Sequence, residues 1–266
     1  MAGSIDFKKI GYVVPTRGKN ITGLKESLRS IRRNGPEIRI VVVSPSSQAV
    51  QKVCQDFDAE LDIESSSGVY AAINQGVKRL SDTCEFFGFV GDDDSLFEYA
   101  VRNILLSFSD ESTGVVYGQV AYVDELGNLQ FVNPAYKVAP RLLNWGPCLV
   151  PNIGTLIRIN LWIDCGGYDE SLKYAGDLDF WIKLSKLTKF KAIKYPIGTF
   201  CFDNNGLTGG QLKESIKEAS LVRRKHTPAY LRWFRNIYEP ALICISEFLR
   251  SYKKIKQGGF IYDSKF

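Results

Sequence analysis

Three carboxylates in a row, Asp92, Asp93 and Asp94, directly follow the apolar run FFGFV at residues 86–90. Like charges side by side repel, and each resists leaving water without a partner. A hard divalent cation answers both costs. Magnesium and manganese prefer carboxylate and phosphate oxygens, and magnesium is usually held by one or two carboxylates together with substrate phosphates. The triplet therefore predicts a Mn2+ or Mg2+ site for a metal-bound diphosphate. The competing reading is a solvated turn whose aspartates cap a helix beginning near Ser95. A second acidic pair, Asp177 and Asp179, opens the helical stretch GDLDFWIKL. Two residues apart on a helix, they point to nearly opposite sides. Asp177 shares a face with Trp181 and Leu184, whereas Asp179 lies near Lys183 and is expected to pair with it. For Asp177 the position leaves a helix cap and a general base both open.

Positioning these groups falls to alternating strands and helices. KIGYVVP (9–15) reads as a short strand, followed by a helix with Leu24, Leu28 and Ile31 on one face. IRIVVVS (38–44) is β-branched and continuous, as a parallel strand buried on both sides requires. A helix from about Gln48 and a strand over 59–63 follow. Val69, Ala72, Ile73, Gly76, Val77 and Leu80 then recur at i, i+3, i+4 spacing, an amphipathic helix. FFGFV is the next strand, and a further helix is expected from Leu96 to Phe108. The order predicts an α/β fold with an open, mixed, mostly parallel sheet flanked by helices and a helical C-terminal tail. Ligands of such sheets bind outside the C-terminal ends of the strands. Pro15, Thr16, Arg17, Ser44 and Asp92 to Asp94 are thereby expected to converge on one crevice. Beyond residue 110 the pattern predicts two antiparallel strands joined by a turn at 125–128, a strand over 155–158 and a short helix. A Gly-Gly turn, the helix at Asp177, a last strand and a basic helical segment from Gln211 complete the chain.

With 266 residues, 45% of them hydrophobic, the chain can bury a sizeable core. Six scattered cysteines with no CxxC pair predict reduced thiols, and the absence of an apolar leader or a membrane-span-length segment predicts a cytoplasmic protein. The net charge of +5 gathers in RSIRR (29–33) and after residue 221. No nucleic-acid motif accompanies it, so no nucleic-acid partner is expected. The lone His226, among RRKH, reads as a solvated helix end. Residues 229–256 mix aromatic, aliphatic and basic side chains. They suit either peripheral contact with an anionic membrane or packing on the domain itself, and Pro240 interrupts a single continuous helix.

The segments YVVPTRGKN, IRIVVVSPSS, SSGVYAAINQGV, FFGFVGDDDSL and GGYDESLKYAGDLDFWIKL occur in the order and at the spacing that resemble family 2 glycosyltransferases of the GT-A fold, over roughly residues 8–208. The resemblance implies a metal-dependent, inverting, hexosyltransferase-type enzyme that moves a sugar from a nucleotide-diphosphate donor, a UDP-sugar being favoured. The acceptor would be a saccharide or lipid-linked saccharide in surface polysaccharide synthesis, at the inner face of the membrane. It implies a domain over 1–210, with 1–110 the nucleotide-binding half and 111–210 the acceptor half, and a tail over 211–266. Asp94 would be the direct metal ligand, with Asp92 or Asp93 meeting the ribose or the metal's water, and Asp177 would be the catalytic base. Pro15, Thr16, Arg17, Ser44 and Asn74 would contact the donor, and FDNNGLTGGQ (202–211) resembles a closing loop. Trp145 reads as an acceptor platform or a core residue. The chain departs from the family pattern at Ser44-Pro45, where a base-recognising Asp is common, at Ala71, and at Gly176, where a Glu usually precedes the base. A sugar-nucleotide pyrophosphorylase and a non-catalytic sugar- or nucleotide-binding relative are the rival readings.

Overall fold

The computed structural model describes residues 6–108, 110–124, 126–201, 212–234 and 238. Its first half alternates as the sequence predicts: β1 (Ile10–Pro15), α1 (Ile21–Asn34), β2 (Arg39–Ser44), α2 (Gln48–Asp56), β3 (Glu60–Ile63), α3 (Val69–Leu80) and β4 (Phe86–Phe89). Asn20 starts α1 by accepting from the Gly23 amide, and Ser47 starts α2 by accepting from Val50, satisfying amides that a helix start leaves without partners. These four strands pair in parallel, with Val13 opposite both Val41 and Phe89, so their C-terminal ends share one edge. Side chains alternate between two cores. Val13, Val41 and Val43 pack beneath α3, while Tyr12, Val14, Ile40 and Val42 pack beneath α1 and α2. Gly76 lets α3 approach β1 closely, since a Cβ there would lie 2.4 Å from Val13.

The second half supplies β5 (Ser95–Leu96), α4 (Ala100–Leu105), β6 (Thr113–Val123), β7 (Leu129–Asn133), α5 (Ala139–Leu142), β8 (Leu156–Arg158), α6 (Ile159–Asp164), α7 (Gly176–Leu187), β9 (Lys189–Cys201) and α8 (Leu212–His226). The strands form one sheet in the order β3-β2-β1-β4-β8-β6-β9-β5, with β7 on β6. The mixed, mostly parallel sheet expected from the sequence is the one found, with its antiparallel partners supplied by the second half. β8, β5 and β7 all pair antiparallel to their neighbours, and only β6 and β9 run parallel. Pro196 is tolerated inside β9 because the β6–β9 register shifts on both sides of the Gln119–Pro196 pair.

The helix expected over 96–108 is shortened to α4. Ser95 and Leu96 pair with Thr199 and Gly198 of β9, and Tyr99 takes a left-handed conformation (φ 64°) before α4 begins. No helix starts at Ser95, so the aspartate triplet is not a helix cap. The irregular backbone here is satisfied from α1: Ser30 Oγ accepts from Leu96 N (3.0 Å), and Asn34 accepts from Val101 N (3.1 Å) while donating to Phe97 O (3.0 Å).

α7 and α8 are clasped through Asp179, which is fully buried. Lys183 Nζ lies 2.8 Å from one carboxylate oxygen, as expected, and His226 Nε2 lies 2.7 Å from the other. His226 is therefore not a solvated end. Lys186 Nζ sits 3.2 Å from Nδ1 and can only donate, which leaves Nε2–H to donate to Asp179. The five cysteines among the described residues are thiols, not disulfides. Among the described residues no helix is long and apolar enough to cross a membrane.

Burial alone would raise the Asp179 carboxyl. The bonds from His226 and Lys183, with Lys225 nearby, outweigh it and hold the group well below the usual carboxylate range. A depressed folded-state value stabilises the fold above the unfolded value near ~3.9, and the contribution fades as pH falls through the folded value. Asp179→Asn, which takes a buried charged acceptor away from Lys183 and His226, is expected to cost about 2 kcal/mol or more at neutral pH. Urea unfolding checks this, with the gap from wild type narrowing below about pH 4.

Candidate functional site

Immediately after β4 the chain makes a tight turn whose backbone is held from α1. Asp94 N donates to Gly91 O (3.3 Å), and the Ser27 hydroxyl lies 2.8 Å from Gly91 O and 2.7 Å from Asp94 O. Asn20 Nδ2 reaches Asp92 O at 3.3 Å. Position 91 has no room for a side chain, since a Cβ would sit 2.6 Å from the Asp94 carboxylate and 2.9 Å from that of Asp93. Asp94 is 5% exposed, and its two oxygens accept from Cys201 N at the end of β9 (3.0 Å) and from Gly91 N (3.1 Å). Thr16 donates to Asp92 and accepts from Gly18 N (2.9 Å), which ties the loop after β1 to the triplet. Asp93 is exposed.

The electrostatics follow from this packing. Burial, then the charge of Asp93, pushes the Asp94 carboxyl well above its usual value, and the two amides offset part of the rise. Burial also raises Asp92, opposed by the Thr16 hydroxyl. A buried carboxylate whose proton affinity neighbouring carboxylates raise is one a cation would relieve. Among the described residues no three or more His, Cys, Asp or Glu side chains form a metal cage. The donor set fits a cation of the magnesium kind, which takes one or two carboxylates and completes its shell with water and phosphate.

Asp177 stands at the start of α7, half-buried, with its carboxylate held from two sides. Asn152 Nδ2 donates to Oδ2 (3.0 Å) and Leu178 N donates to Oδ1 (2.7 Å). Trp181 Nε1 donates to Asn152 Oδ1 (2.9 Å), so the indole dictates that the Asn152 amide faces Asp177 with its N–H. Burial raises the Asp177 carboxyl, and the Asn152 bond opposes the rise. Gly176 precedes it because a Cβ there would lie 2.5 Å from the Tyr70 ring.

Two adjoining cavities lie at this edge of the sheet. One, of about 490 Å³, has Pro15, Thr16, Arg17, Lys19, Glu64 and Asp92 to Asp94 in its wall. The other, of about 440 Å³, is walled by Asp177 and Asn152 with the aromatic rings of Tyr70, Tyr122, Phe131 and Tyr174. Asp94, Val69, Phe89 and Phe200 belong to both. Two residues anticipated at the crevice are not there. Ser44 is fully buried, and its hydroxyl turns back to Pro45 O (2.9 Å). Asn74 donates to Tyr168 O and Glu170 (both 2.9 Å) and accepts from Trp162 Nε1 (3.1 Å) and Tyr168 N (2.9 Å), so its amide is consumed in bracing α3 against residues 162–170. Trp145 packs against Tyr238 and lines neither cavity. The segment 202–211 lies outside the described residues. Asn152 gave no sequence signal. It reaches the site because Ile153 bridges to Phe89.

Comparison with known proteins gives the following. The family model described as Glycosyl transferase family 2 matches residues 12–164. An uncharacterized glycosyltransferase of Rickettsia typhi is 26% identical over 133 residues, covering 47% of this chain and 41% of the relative. The chain thus spans less than half the length of that curated relative. S. aureus TarS (residues 1–349) in complex with UDP-GlcNAc superposes with a TM-score of 0.62 at 16% identity, covering 80% of this chain and 65% of TarS. A mannosyltransferase of Pyrobaculum calidifontis in complex with GDP-Man and Mn2+ gives a TM-score of 0.59 at 15% identity, over 82% and 63% of the two chains. At these identities the structural likeness concerns the fold, and the GT-A architecture expected from the sequence is the one found.

The Asn152 bond lowers the proton affinity of Asp177, so Asn152→Ala should raise it further. Carbon NMR titration of the side-chain carboxyl is expected to show the Asp177 midpoint moving upward in the variant, and an unchanged midpoint would remove Asn152 from the account.

Proposed function

The chain belongs to glycosyl transferase family 2, whose model spans more than half of it, and on that premise we propose that it moves a sugar from a nucleoside-diphosphate donor to a hydroxyl of a saccharide or lipid-linked saccharide, inverting the anomeric carbon. One observation carries the reading: Asp94 stands in the wall common to two cavities, with Asp92 and Asp93 in one and Asp177 in the other. A donor diphosphate in the first and its sugar directed toward the second would bring the reacting carbon between the two acidic centres.

Pro15, Thr16, Arg17, Asp92 and Asp93 are the proposed nucleotide and diphosphate contacts, joined by Lys19. Arg17 and Lys19 carry the charge a diphosphate needs. Asp94, with Asp92 beside it, would hold Mn2+ or Mg2+ on the diphosphate, where the cation supplies Lewis-acid stabilisation to the departing phosphate. Asp177 takes the proton of the attacking hydroxyl. Its raised proton affinity brings it closer to working pH, where a general base is most effective, and Asn152 fixes its direction. Attack from the face opposite the leaving group produces inversion, through a cationic sugar centre that resembles the one in glycoside hydrolysis. The rings of Tyr122, Phe131 and Tyr174 suit stacking on an acceptor sugar.

A role in surface polysaccharide synthesis at the cytoplasmic face of the membrane belongs to the same reading. Support comes from Tyr230, Trp233 and Phe234, exposed by 74%, 62% and 45%, beside Arg232. Of the 229–256 stretch, 235–237 and 239–256 lie outside the described residues. The division into a domain over 1–210 and a tail over 211–266 is retained as a proposal, although α8 packs on α7.

Melting temperature measured against UDP, GDP, CMP and dTDP, with and without manganese, identifies the nucleotide, since binding to the native state raises it. A manganese-dependent shift is expected for one nucleotide, UDP first. With the matching sugar donor, Asp177→Asn should cut kcat by about 10²- to 10⁴-fold while nucleotide binding persists, and Asp94→Ala should abolish the manganese-dependent shift. Transfer should also fall on the acid side as Asp177 protonates, at a pH above the usual carboxylate value of about 3.9. Full transfer by either variant would sink its assigned role. Binding without turnover would favour the non-catalytic reading, and pyrophosphate release from a nucleoside triphosphate would favour the pyrophosphorylase.

A further inference from the structure

α7 begins without a cap of its own. Its N-cap is Ala175, which offers no side-chain acceptor, and the amides of residues 173–175 lie in the irregular turn that leads into the helix. They are satisfied from another helix. Glu218 of α8 accepts from Lys173 N (3.0 and 3.2 Å), Tyr174 N (2.5 Å) and Ala175 N (2.7 Å), so one carboxylate gathers three consecutive amides from 43 to 45 residues away. No residue on the turn itself can do this from position 176, where Tyr70 excludes any Cβ. The same face of α8 carries Ser215, one turn earlier, into the wall of the Asp177 cavity, and Val222, one turn later, is buried at 2% exposure.

We propose that Glu218 is a positioning residue for Asp177: by capping α7 from α8 it fixes the turn 173–175 from which the Asp177 carboxylate projects. This rests on the reading of Asp177 as the base. A carboxylate at a helix N-terminus is favoured both by the amide hydrogen bonds and by the helix dipole. Without it, three amides seek water and the turn is free to shift. Displacement of a catalytic group by about 1 Å can cost on the order of 100-fold in rate. α7 and α8 both follow the region matched by the family model, residues 12–164, and the inference ties the second of these helices to the base carried by the first.

The test compares three variants of the full chain, using the nucleotide-sugar found active for the wild type. Glu218→Ala is expected to lower kcat by about 10- to 100-fold with the nucleotide Kd within about twofold of wild type, and to speed amide exchange at 173–175. Glu218→Gln, which keeps one acceptor oxygen and the shape, is expected to fall between the two and serves if the alanine variant fails to fold. His226→Ala loosens the α7–α8 clasp at its other end without touching the turn. It is expected to lower the melting temperature while leaving kcat within about twofold. A kcat for both Glu218 variants no lower than that of His226→Ala would overturn the proposal. Asp177→Asn, run in parallel, separates the two ideas: a dead Asp177→Asn beside unimpaired Glu218 variants overturns the positioning role alone, whereas an active Asp177→Asn overturns both.

Discussion

One buried polar stripe on α1 underlies the donor side of the molecule. Ser27, Ser30 and Asn34 are spaced to share a face of the helix and are 0%, 7% and 8% exposed. Between them they meet backbone groups from Gly91 to Val101, a stretch with little regular structure of its own. Buried backbone groups left unpaired would each cost roughly 1–3 kcal/mol. The stripe removes that cost and lets the chain leave β4 as a turn, and this turn aims Asp94 into the crevice.

From that anchor two acidic centres are built by different means. Asp94 is held by backbone alone, through amides of Gly91 and Cys201, and is pressed by its neighbour Asp93. Asp177 is held by one amide, that of Leu178, and by a side chain, Asn152, itself set by the indole of Trp181. Burial raises the proton affinity of both. The first is suited to sharing its charge with a cation and the second to exchanging a proton, so one physical cause, desolvation, serves two chemistries in adjoining cavities.

The first four strands and three helices were legible because each carries a strong period and a local start signal. β2 is the clearest case, five buried residues in a row after Arg39. Asp92 to Asp94 and Asp177 were legible because carboxylates at a strand end and a helix start need a reason. What escaped depended on distant partners. Residues 95–96 look helical, yet they pair with β9, about a hundred positions away. His226 looks solvated, yet it meets the buried Asp179 across 47 residues. Asn74 looks like a surface or donor contact, and only the folded chain brings Trp162, Tyr168 and Glu170 around it. Asn152, Ser27 and Ser30 are small polar residues, and their importance is a matter of what lies opposite them.

The contact between Tyr70 and Gly176 joins α3 to α7 beside the Asp177 cavity, with no space for even a methyl group between ring and backbone. It also imposes an order on sequence change. A side chain at 176 becomes admissible only once residue 70 has shrunk or turned, while a smaller residue at 70 would open a gap that 176 is then free to fill. The two positions are therefore coupled, and an acidic residue ahead of Asp177 requires the ring at position 70 to shrink or turn aside.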